Sequence, residues 1–117
     1  MGIRSFFRKV GQTHEERLID EVRDWAAAVP DVTPIQACPE RIRARVAGVV
    51  RRVTLHALEG RNSVAAEVYD GTGEVTAVWV GRDSIPGLRL GSRLVLEGVM
   101  ARERGELRMV NPQFDFA

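Results

Sequence analysis

Arginine is the residue type in this chain best suited to binding a charged partner, because its fork of N–H donors matches phosphate and its flat group stacks on bases. Of the 17 basic residues only Lys9 is a lysine. A GC-rich genome also produces such a bias, and both explanations stay open. Residues 41–52 carry five arginines and no acid, whereas residues 14–40 carry seven acids against two arginines. The net charge of +1 therefore hides a patterned distribution.

Residues able to catalyse a reaction or to bind a metal are few and poorly spaced for either task. A nucleophile needs a base within hydrogen-bond reach, and a metal site needs three or four ligands. His14, His56 and Cys38 show neither spacing. Asp70 opens a glycine-rich turn, where an aspartate bonds the following backbone amides. The glycines that follow it lack the strand-to-helix setting of a phosphate-binding loop. We therefore predict no enzyme, no cofactor and no metal site.

The turn at residues 70–73 separates two segments in which apolar residues alternate with a period of two, which predicts a hairpin with an inward and an outward face. The inward set is Val64, Ala66, Val68, Val75, Ala77 and Trp79. A second hairpin is predicted from residues 93–101 and 106–110 around a polar turn. The first strand of that hairpin is apolar enough to be buried on both sides.

Residues 41–58 form one long predicted strand in which Gly48 breaks the alternation. A glycine there permits a bulge or a bend, which lets one strand pair with both parts of a curled sheet. The count is then five strands, as a small closed barrel needs. Upstream, Thr13 and Glu16 form a capping box, and the apolar stripe that follows predicts an amphipathic helix.

Length and composition fit one domain with a modest core. Its predicted parts are a basic N-terminal segment (1–13), a helix (14–29), a linker (30–40) and a barrel (41–117). The basic segment is expected to be disordered or to touch an acidic surface. For the helix two interpretations stay open: it docks on the barrel and closes one end, or it binds a partner or a second copy.

No apolar run in the sequence is long enough to span a bilayer, and the first ten residues lack the apolar core of a signal peptide. We therefore expect a cytoplasmic protein without membrane contact. The single cysteine, Cys38, cannot form an intramolecular disulfide, which fits a reducing compartment.

The stretch from residue 43 to residue 116 resembles an OB-fold nucleic-acid-binding domain. The motifs that carry the likeness are Asp70-Gly71-Thr72-Gly73, the strand through Trp79, the Gly91-initiated strand with Gly98, and Asn111-Pro112-Gln113-Phe114. They look most like the wedge domain of RecG-type helicases, and the layout is similar to small stand-alone actinobacterial OB-fold proteins. The resemblance implies a mainly β fold: a five-stranded Greek-key OB-fold barrel preceded by one amphipathic α-helix. Helicase activity is not expected, because no nucleotide-binding phosphate loop is present.

In OB-folds, nucleic acid crosses the outer face of the second and third strands and is flanked by two loops. The resemblance therefore implies a binding site. Its residues are Arg43, Arg45, Arg61, Asn62, Tyr69, Thr76, Val78, Arg82, Arg102, Arg104 and Arg108. Tyr69 is the one aromatic candidate for base stacking, and Glu67 adds a negative charge to the face. We therefore expect weak, sequence-nonspecific binding of single-stranded or branched DNA, with RNA left open.

A second function is compatible with the same residues. Val78 and Val80 point outward in the predicted hairpin, and outward valines are typical of interfaces. The alternative is therefore a protein-interaction or self-assembling OB-fold module without nucleic-acid binding, with its contact on the outer sheet face or on the helix 14–29. The two functions differ in their dependence on salt.

Overall fold

A computed structural model describes residues 13–58 and 60–117. That part of the chain is mainly β, with one α-helix near its N-terminus, as the sequence predicts. The helix is α1 (His14–Ala28), and a short 3₁₀ turn follows at Ile35–Ala37. The strands are β1 (Arg43–Leu58), β2 (Arg61–Tyr69), β3 (Glu74–Val80), β4 (Arg93–Val99), β5 (Ala101–Glu103), β6 (Glu106–Val110) and β7 (Gln113–Phe116). The predicted basic segment lies outside the described residues, apart from Thr13.

The start of α1 confirms the role predicted for Thr13. Its hydroxyl Oγ1 accepts a hydrogen bond from the backbone N–H of Glu16 at 3.2 Å, which satisfies one of the free donors of the first turn. The helix ends at Ala28 because Val29 adopts an extended conformation ahead of Pro30. No helix in the described ranges is long and apolar enough to cross a membrane.

The strands form one sheet in the order β5-β6-β3-β2-β1-β4-β7. Neighbouring strands are antiparallel except for β3 and β6, which are parallel. The first half of β1 pairs with β4 and the second half with β2, as predicted. The predicted position of the irregularity is wrong, because the register shifts between Val50 and Arg52 rather than at Gly48. Arg51 is therefore the extra residue, and it resets the alternation of the second half.

The predicted closed barrel of five strands is not confirmed, because the described residues form seven strands in an open hydrogen-bonded order. One reason is Met100, which separates β4 from β5. Its N–H donates to the Ile42 carbonyl at 3.1 Å, and its carbonyl accepts from the Arg41 N–H at 2.6 Å. The other is β7, which adds to β4 after Asn111, at a φ of 50°, and Pro112. Strand β7 is not predicted from the sequence, because the last predicted strand ends before those two residues.

The main core lies between the inward faces of the strands, and the predicted inward residues of the first hairpin are all buried in it. Trp79 is 4% exposed, and its ring Nε1–H donates to the Pro112 carbonyl at 3.0 Å. Leu94, Val95 and Leu96 are buried in succession, which confirms that β4 is covered on both sides. Ile35 of the 3₁₀ turn is fully buried in the same core, so a residue of the predicted linker contributes to it.

The turn between β2 and β3 is held by Asp70, as predicted for a turn aspartate. Its Oδ1 accepts from the Thr72 N–H at 2.8 Å, the Thr72 hydroxyl at 2.7 Å and the Gly73 N–H at 3.0 Å. Its Oδ2 accepts from the Ile35 N–H at 2.8 Å. The buried carboxylate therefore joins the hairpin turn to the segment that follows α1.

Helix α1 packs against the outer face of β1 and β4. Ala26 is buried there with Ala47 and Val95, and the Arg23 guanidinium donates to the Gly71 carbonyl at 2.7 Å. Of the two interpretations of the helix, docking on the sheet describes these contacts. The helix covers an outer face, while Ile35 is the nearby residue that enters the main core. Leu18 stays 47% exposed on the helix.

Candidate nucleic-acid interface

A shallow groove of about 560 Å³ runs over the outer face of β1, β2, β3 and β6. The strand register arranges its residues in three rows, because successive outward positions are two residues apart. The first row is Arg52, Glu67, Thr76 and Arg108; the second is Thr54, Ala65, Val78 and Val110; the third is His56, Ser63 and Val80. The floor is made of small side chains, and the charges belong to the first row and to Glu106 on β6.

Thr76, Val78 and Arg108 line this groove, so three of the predicted site residues meet where the sequence places them. Tyr69 does not line the groove. Its ring lies 4.5 Å from the Arg51 guanidinium and borders a separate hollow beside α1. The predicted aromatic platform therefore lies outside the groove.

Arg43 and Arg45 lie on the other half of β1, outside the groove. Arg43 Nη2 is 2.9 Å from Glu97 Oε2, and Arg45 Nη1 is 3.8 Å from Glu97 Oε1. Arg43 also donates to the Gln113 side chain at 3.3 Å. Neither residue therefore borders the groove, although both are predicted at the rim of the site. Register is the physical reason: the bulge at Arg51 separates the part of β1 that pairs with β4 from the part that lines the groove.

Arg61, Asn62 and Arg82 belong to the segments at one end of the groove. The Gly81 N–H donates to the Asn62 carbonyl at 2.7 Å, and the Asn62 side-chain amide donates to Asp83 Oδ1. These contacts join the start of β2 to the chain that leaves β3. A second hollow of about 250 Å³ lies between these segments and the end of β1.

Arg102 and Arg104 lie at the β5–β6 turn. Arg102 Nε donates to Glu40 Oε1 at 2.8 Å, and its Nη1 donates to the Gly105 carbonyl at 3.0 Å. Arg104 is exposed at the tip of the turn with a φ of 52°. Arg102 also borders a hollow shared with Glu67 and Thr76, which continues from the main groove. This turn therefore flanks the groove with Arg102, which is paired with Glu40, and with Arg104, which is exposed at the tip.

The groove has balanced charges. Arg52 Nε lies 3.1 Å from Glu67 Oε2, and Arg108 Nε lies 3.6 Å from Glu103 Oε2. The latter separation is too long for a hydrogen bond, and the buried Arg108 Nε has no hydrogen-bond partner within the described residues. Glu106 adds a further carboxylate to the groove. In contrast, Arg61, Arg82 and Arg104 form no ion pair with any described residue.

Two carboxylates crowd one end of this face. Burial raises the pKa of Glu74, and the nearby charge of Glu67 and a side-chain hydrogen bond with it raise that pKa further. Arg51 and Arg52 act in the opposite direction, because their positive charge favours the ionised carboxylate. Glu74 is therefore less readily ionised than a free carboxylate, because partial burial and a second carboxylate beside it both disfavour its charge.

The β1 side of the groove consists of Arg52, Thr54 and His56, which are not among the predicted site residues. Their outward alternation with a period of two is visible in the sequence. The predicted alternation stops at Gly48, and the extra residue Arg51 resets its phase. Extending the pattern backward from His56 would have found these positions.

Within residues 13–58 and 60–117, no group of three or more His, Cys, Asp or Glu side chains could hold a metal ion. Burial raises the pKa of the Cys38 thiol, and the negative charge of Asp70 raises it further. The Cys38 thiol contacts the Pro34 carbonyl oxygen at 3.4 Å. A raised pKa leaves less thiolate, which is the nucleophilic form.

No protein-family model matches this chain, and a search of curated proteins finds no match to it. Any function must therefore be argued from the groove, its charges and its neighbouring segments.

Proposed function

We propose that this chain is a non-catalytic protein that binds single-stranded or branched nucleic acid weakly and with little sequence preference. The main support for this proposal is the groove over β1, β2, β3 and β6, which holds two arginines and is flanked by exposed arginines at both ends. Arg61 and Arg82 lie at one end and Arg104 at the other. This distribution suits a strand whose phosphates contact the rim while its bases cross the floor.

We propose further that the sheet acts as an OB-fold barrel in which β4 and β5 are two parts of one strand. Met100 alone separates them, and both its backbone groups bond to the residues before β1. The parallel pairing of β3 with β6 supports the same arrangement. A cytoplasmic location also belongs to the proposal, and the single cysteine supports it.

The ion pairs in the groove are compatible with phosphate binding. The Arg52 side chain is 73% exposed, and an exposed ion pair contributes only about 0–1 kcal/mol. A phosphate oxygen can therefore replace the Glu67 carboxylate at little cost. The buried Arg108 Nε–H has no hydrogen-bond partner among the described residues, so a movement of this side chain toward a phosphate would break no hydrogen bond of that atom.

The expected affinity is low. Glu67 and Glu106 repel phosphate, and the groove lacks the Phe, Tyr or Trp platforms that contribute about 1–3 kcal/mol per stacked base. Non-specific electrostatic binding then gives a Kd of roughly 10⁻⁴ to 10⁻⁶ M at physiological salt.

Fluorescence anisotropy with labelled single-stranded, duplex and forked DNA at low and physiological salt tests this proposal. We expect Arg61→Ala/Arg104→Ala to weaken binding strongly and to lower the salt dependence by about two phosphate contacts. The charge-matched control is Arg17→Ala/Arg89→Ala, whose two arginines do not border the groove. Glu67→Gln should tighten binding, because it removes a carboxylate from the first row. No binding at low salt, or equal losses in both double variants, would contradict the proposal.

Self-association on the same face is the second candidate function. Val78 and Val110 are register partners, and Val80 and Val110 are 44% and 60% exposed. Three valines therefore form a short apolar strip beside the groove. Sedimentation velocity at high salt would detect an oligomer held by this strip, and Val80→Ser/Val110→Ser should dissociate it. A monomer at high protein concentration would exclude this candidate.

A further inference from the structure

The second and third rows of the groove contain one ionisable side chain, His56, which lies opposite Ser63. The other members of these two rows are threonine, alanine, serine and valine. His56 is exposed, and no described residue forms a hydrogen bond or an ion pair with it. Its imidazole is therefore available to contact a strand that crosses the groove.

His56 also lies between two sets of cations on the outward side of the sheet. Arg52 is four residues before it on β1, which is about 13 Å at the rise of a strand. Arg61 is two residues before Ser63 on β2, so its side chain leaves the same face of the hairpin. A positive charge on His56 therefore joins the arginines of the first row to Arg61 in one line of cations.

The charged groups around His56 leave this part of the groove without an opposing acid. The ionisable side chains that border the groove or the adjoining hollow with it are Arg52, Glu67, Arg82, Asp83, Glu106 and Arg108. Glu67 lies two rows away and is paired with Arg52. Asp83 borders the hollow, and its Oδ1 accepts from the Asn62 amide. No carboxylate shares the second or third row with His56 among the described residues.

Histidine is the side chain whose charge ordinarily changes between pH 5 and pH 8, about the range found in cells. Arginine and the phosphodiester keep their charges throughout that range. We propose that His56 is a further phosphate-contacting residue of the groove, which binds a strand as the imidazolium and makes binding tighter as pH falls. This inference rests on the proposed nucleic-acid binding and adds its dependence on pH.

Fluorescence anisotropy with a rhodamine-labelled oligothymidylate of about 12 nucleotides tests this role at about pH 6 and about pH 8. Thymine and the phosphodiester do not titrate in this range, so a change in binding comes from the protein. The wild-type protein should bind about threefold more tightly at the lower pH in about 50 mM salt. The slope of log Kd against log salt should be steeper there by about 0.7, the value for one phosphate contact of a single strand.

Substitutions of the two histidines separate His56 from other titrating groups. His56→Gln should remove the response to pH, whereas His56→Arg should bind at the higher pH as tightly as the wild-type protein does at the lower pH. His14→Gln is the matched control, because His14 is the other histidine of the chain and begins α1 outside the groove. Glu74→Gln is a second control for a carboxylate whose pKa is raised. Both controls should keep the full response.

The results that contradict this role differ from those that contradict the proposed function. Equal binding by the wild-type protein at the two pH values overturns the role of His56 and leaves the proposed function standing. A response that survives in His56→Gln, or a loss in that variant that is equal at both pH values, overturns it as well. Absence of binding at both pH values in low salt overturns the proposed function together with the role of His56. Far-UV circular dichroism of each variant checks that the fold is retained.

Discussion

The two halves of β1 have opposite surroundings on the same outer side of the sheet. In the first half Ala47 is 2% exposed, because Ala26 of α1 and Val95 of β4 pack on it. In the second half Arg52 and His56 are exposed and line an open groove. One strand therefore contributes both to a covered outer face and to the candidate binding face.

Side-chain size and charge explain this difference. A small apolar residue at position 47, opposite Val95, lets the backbone of α1 approach and bury surface. Polar and charged residues at the outward positions of the second half would lose hydration under a helix without gaining partners. Outward positions of β1 therefore belong to two classes, covered and open, and the bulge at Arg51 divides them.

The largest expected effect comes from the same valine-to-aspartate substitution on the covered face and on the open face. Val95→Asp places a carboxylate under α1 and opposite Asp115, so it should lower the unfolding free energy by about 3 kcal/mol or more. Val78→Asp makes the same change in the open groove and should cost about 1 kcal/mol or less. Urea denaturation of both variants measures the difference. Equal losses would mean that the two faces are covered alike.

Val78→Asp also has a functional readout. The new carboxylate stands between the two arginines of the first row and the exposed arginines of the rim, so nucleic-acid binding should weaken. Unchanged binding would argue against the groove as the binding face, while the stability comparison would still hold.

Asp70 is the next most sensitive position, because it joins the hairpin turn to the segment on the covered side. Asp70→Ala removes the acceptor for the buried Ile35 N–H and for two donors of Thr72. We expect a loss of about 2–3 kcal/mol in unfolding free energy. Asp70→Asn keeps one acceptor oxygen and should cost less. Equal stabilities of the two variants in urea denaturation would show that the one oxygen kept by asparagine contributes nothing.

Much of the sheet was predictable, because period-two alternation and turn residues are local signals. They placed the inward side of the first hairpin, the buried Trp79 and the Asp70 turn correctly. The count of five strands is not confirmed, because strand ends depend on non-local features. Met100 interrupts a run that looks continuous in the sequence, and β7 follows Pro112, where strands usually end.

The site was less predictable than the fold. The sequence gives the type of each arginine but not the partner it meets, and Arg43 is paired with Glu97, which is 54 residues away. The phase of β1 beyond Arg51 decides whether Arg52 and His56 or their neighbours face the groove. Tyr69 lies at an outward position of β2, as predicted. Its ring nevertheless contacts Arg51 and borders the hollow beside α1 rather than the groove. Such contacts arise from packing between distant segments.

Gly48 lies close to the point where the two halves of β1 meet, and a substitution there tests how tightly β1 packs against β2. A Cβ at this position would lie 2.7 Å from Val68 Cγ1 and 2.8 Å from the Tyr69 carbonyl oxygen. The second of these atoms belongs to the backbone of β2 and cannot move without disturbing the ladder. Gly48→Ala should therefore cost about 1–2 kcal/mol in urea denaturation. An unchanged unfolding free energy would mean that β1 and β2 can separate locally at this point.

Glu74 gives the smallest expected effect and tests the crowded carboxylates of the open face. Its pKa is raised above the ordinary 4.5, first by burial and then by Glu67. At a pH between the ordinary and the raised pKa, the folded protein binds more protons than the unfolded chain. The stability that comes from this proton binding is therefore complete below the ordinary pKa and is lost as pH rises through the raised one. Urea denaturation between pH 4 and pH 7, at roughly unit steps, should show Glu74→Gln gaining stability relative to wild type as pH rises. In a Glu67→Gln background the gain should shrink, because the neighbouring charge is gone. A gain that is independent of Glu67 would assign the raised pKa to burial alone and would leave the open face without carboxylate repulsion.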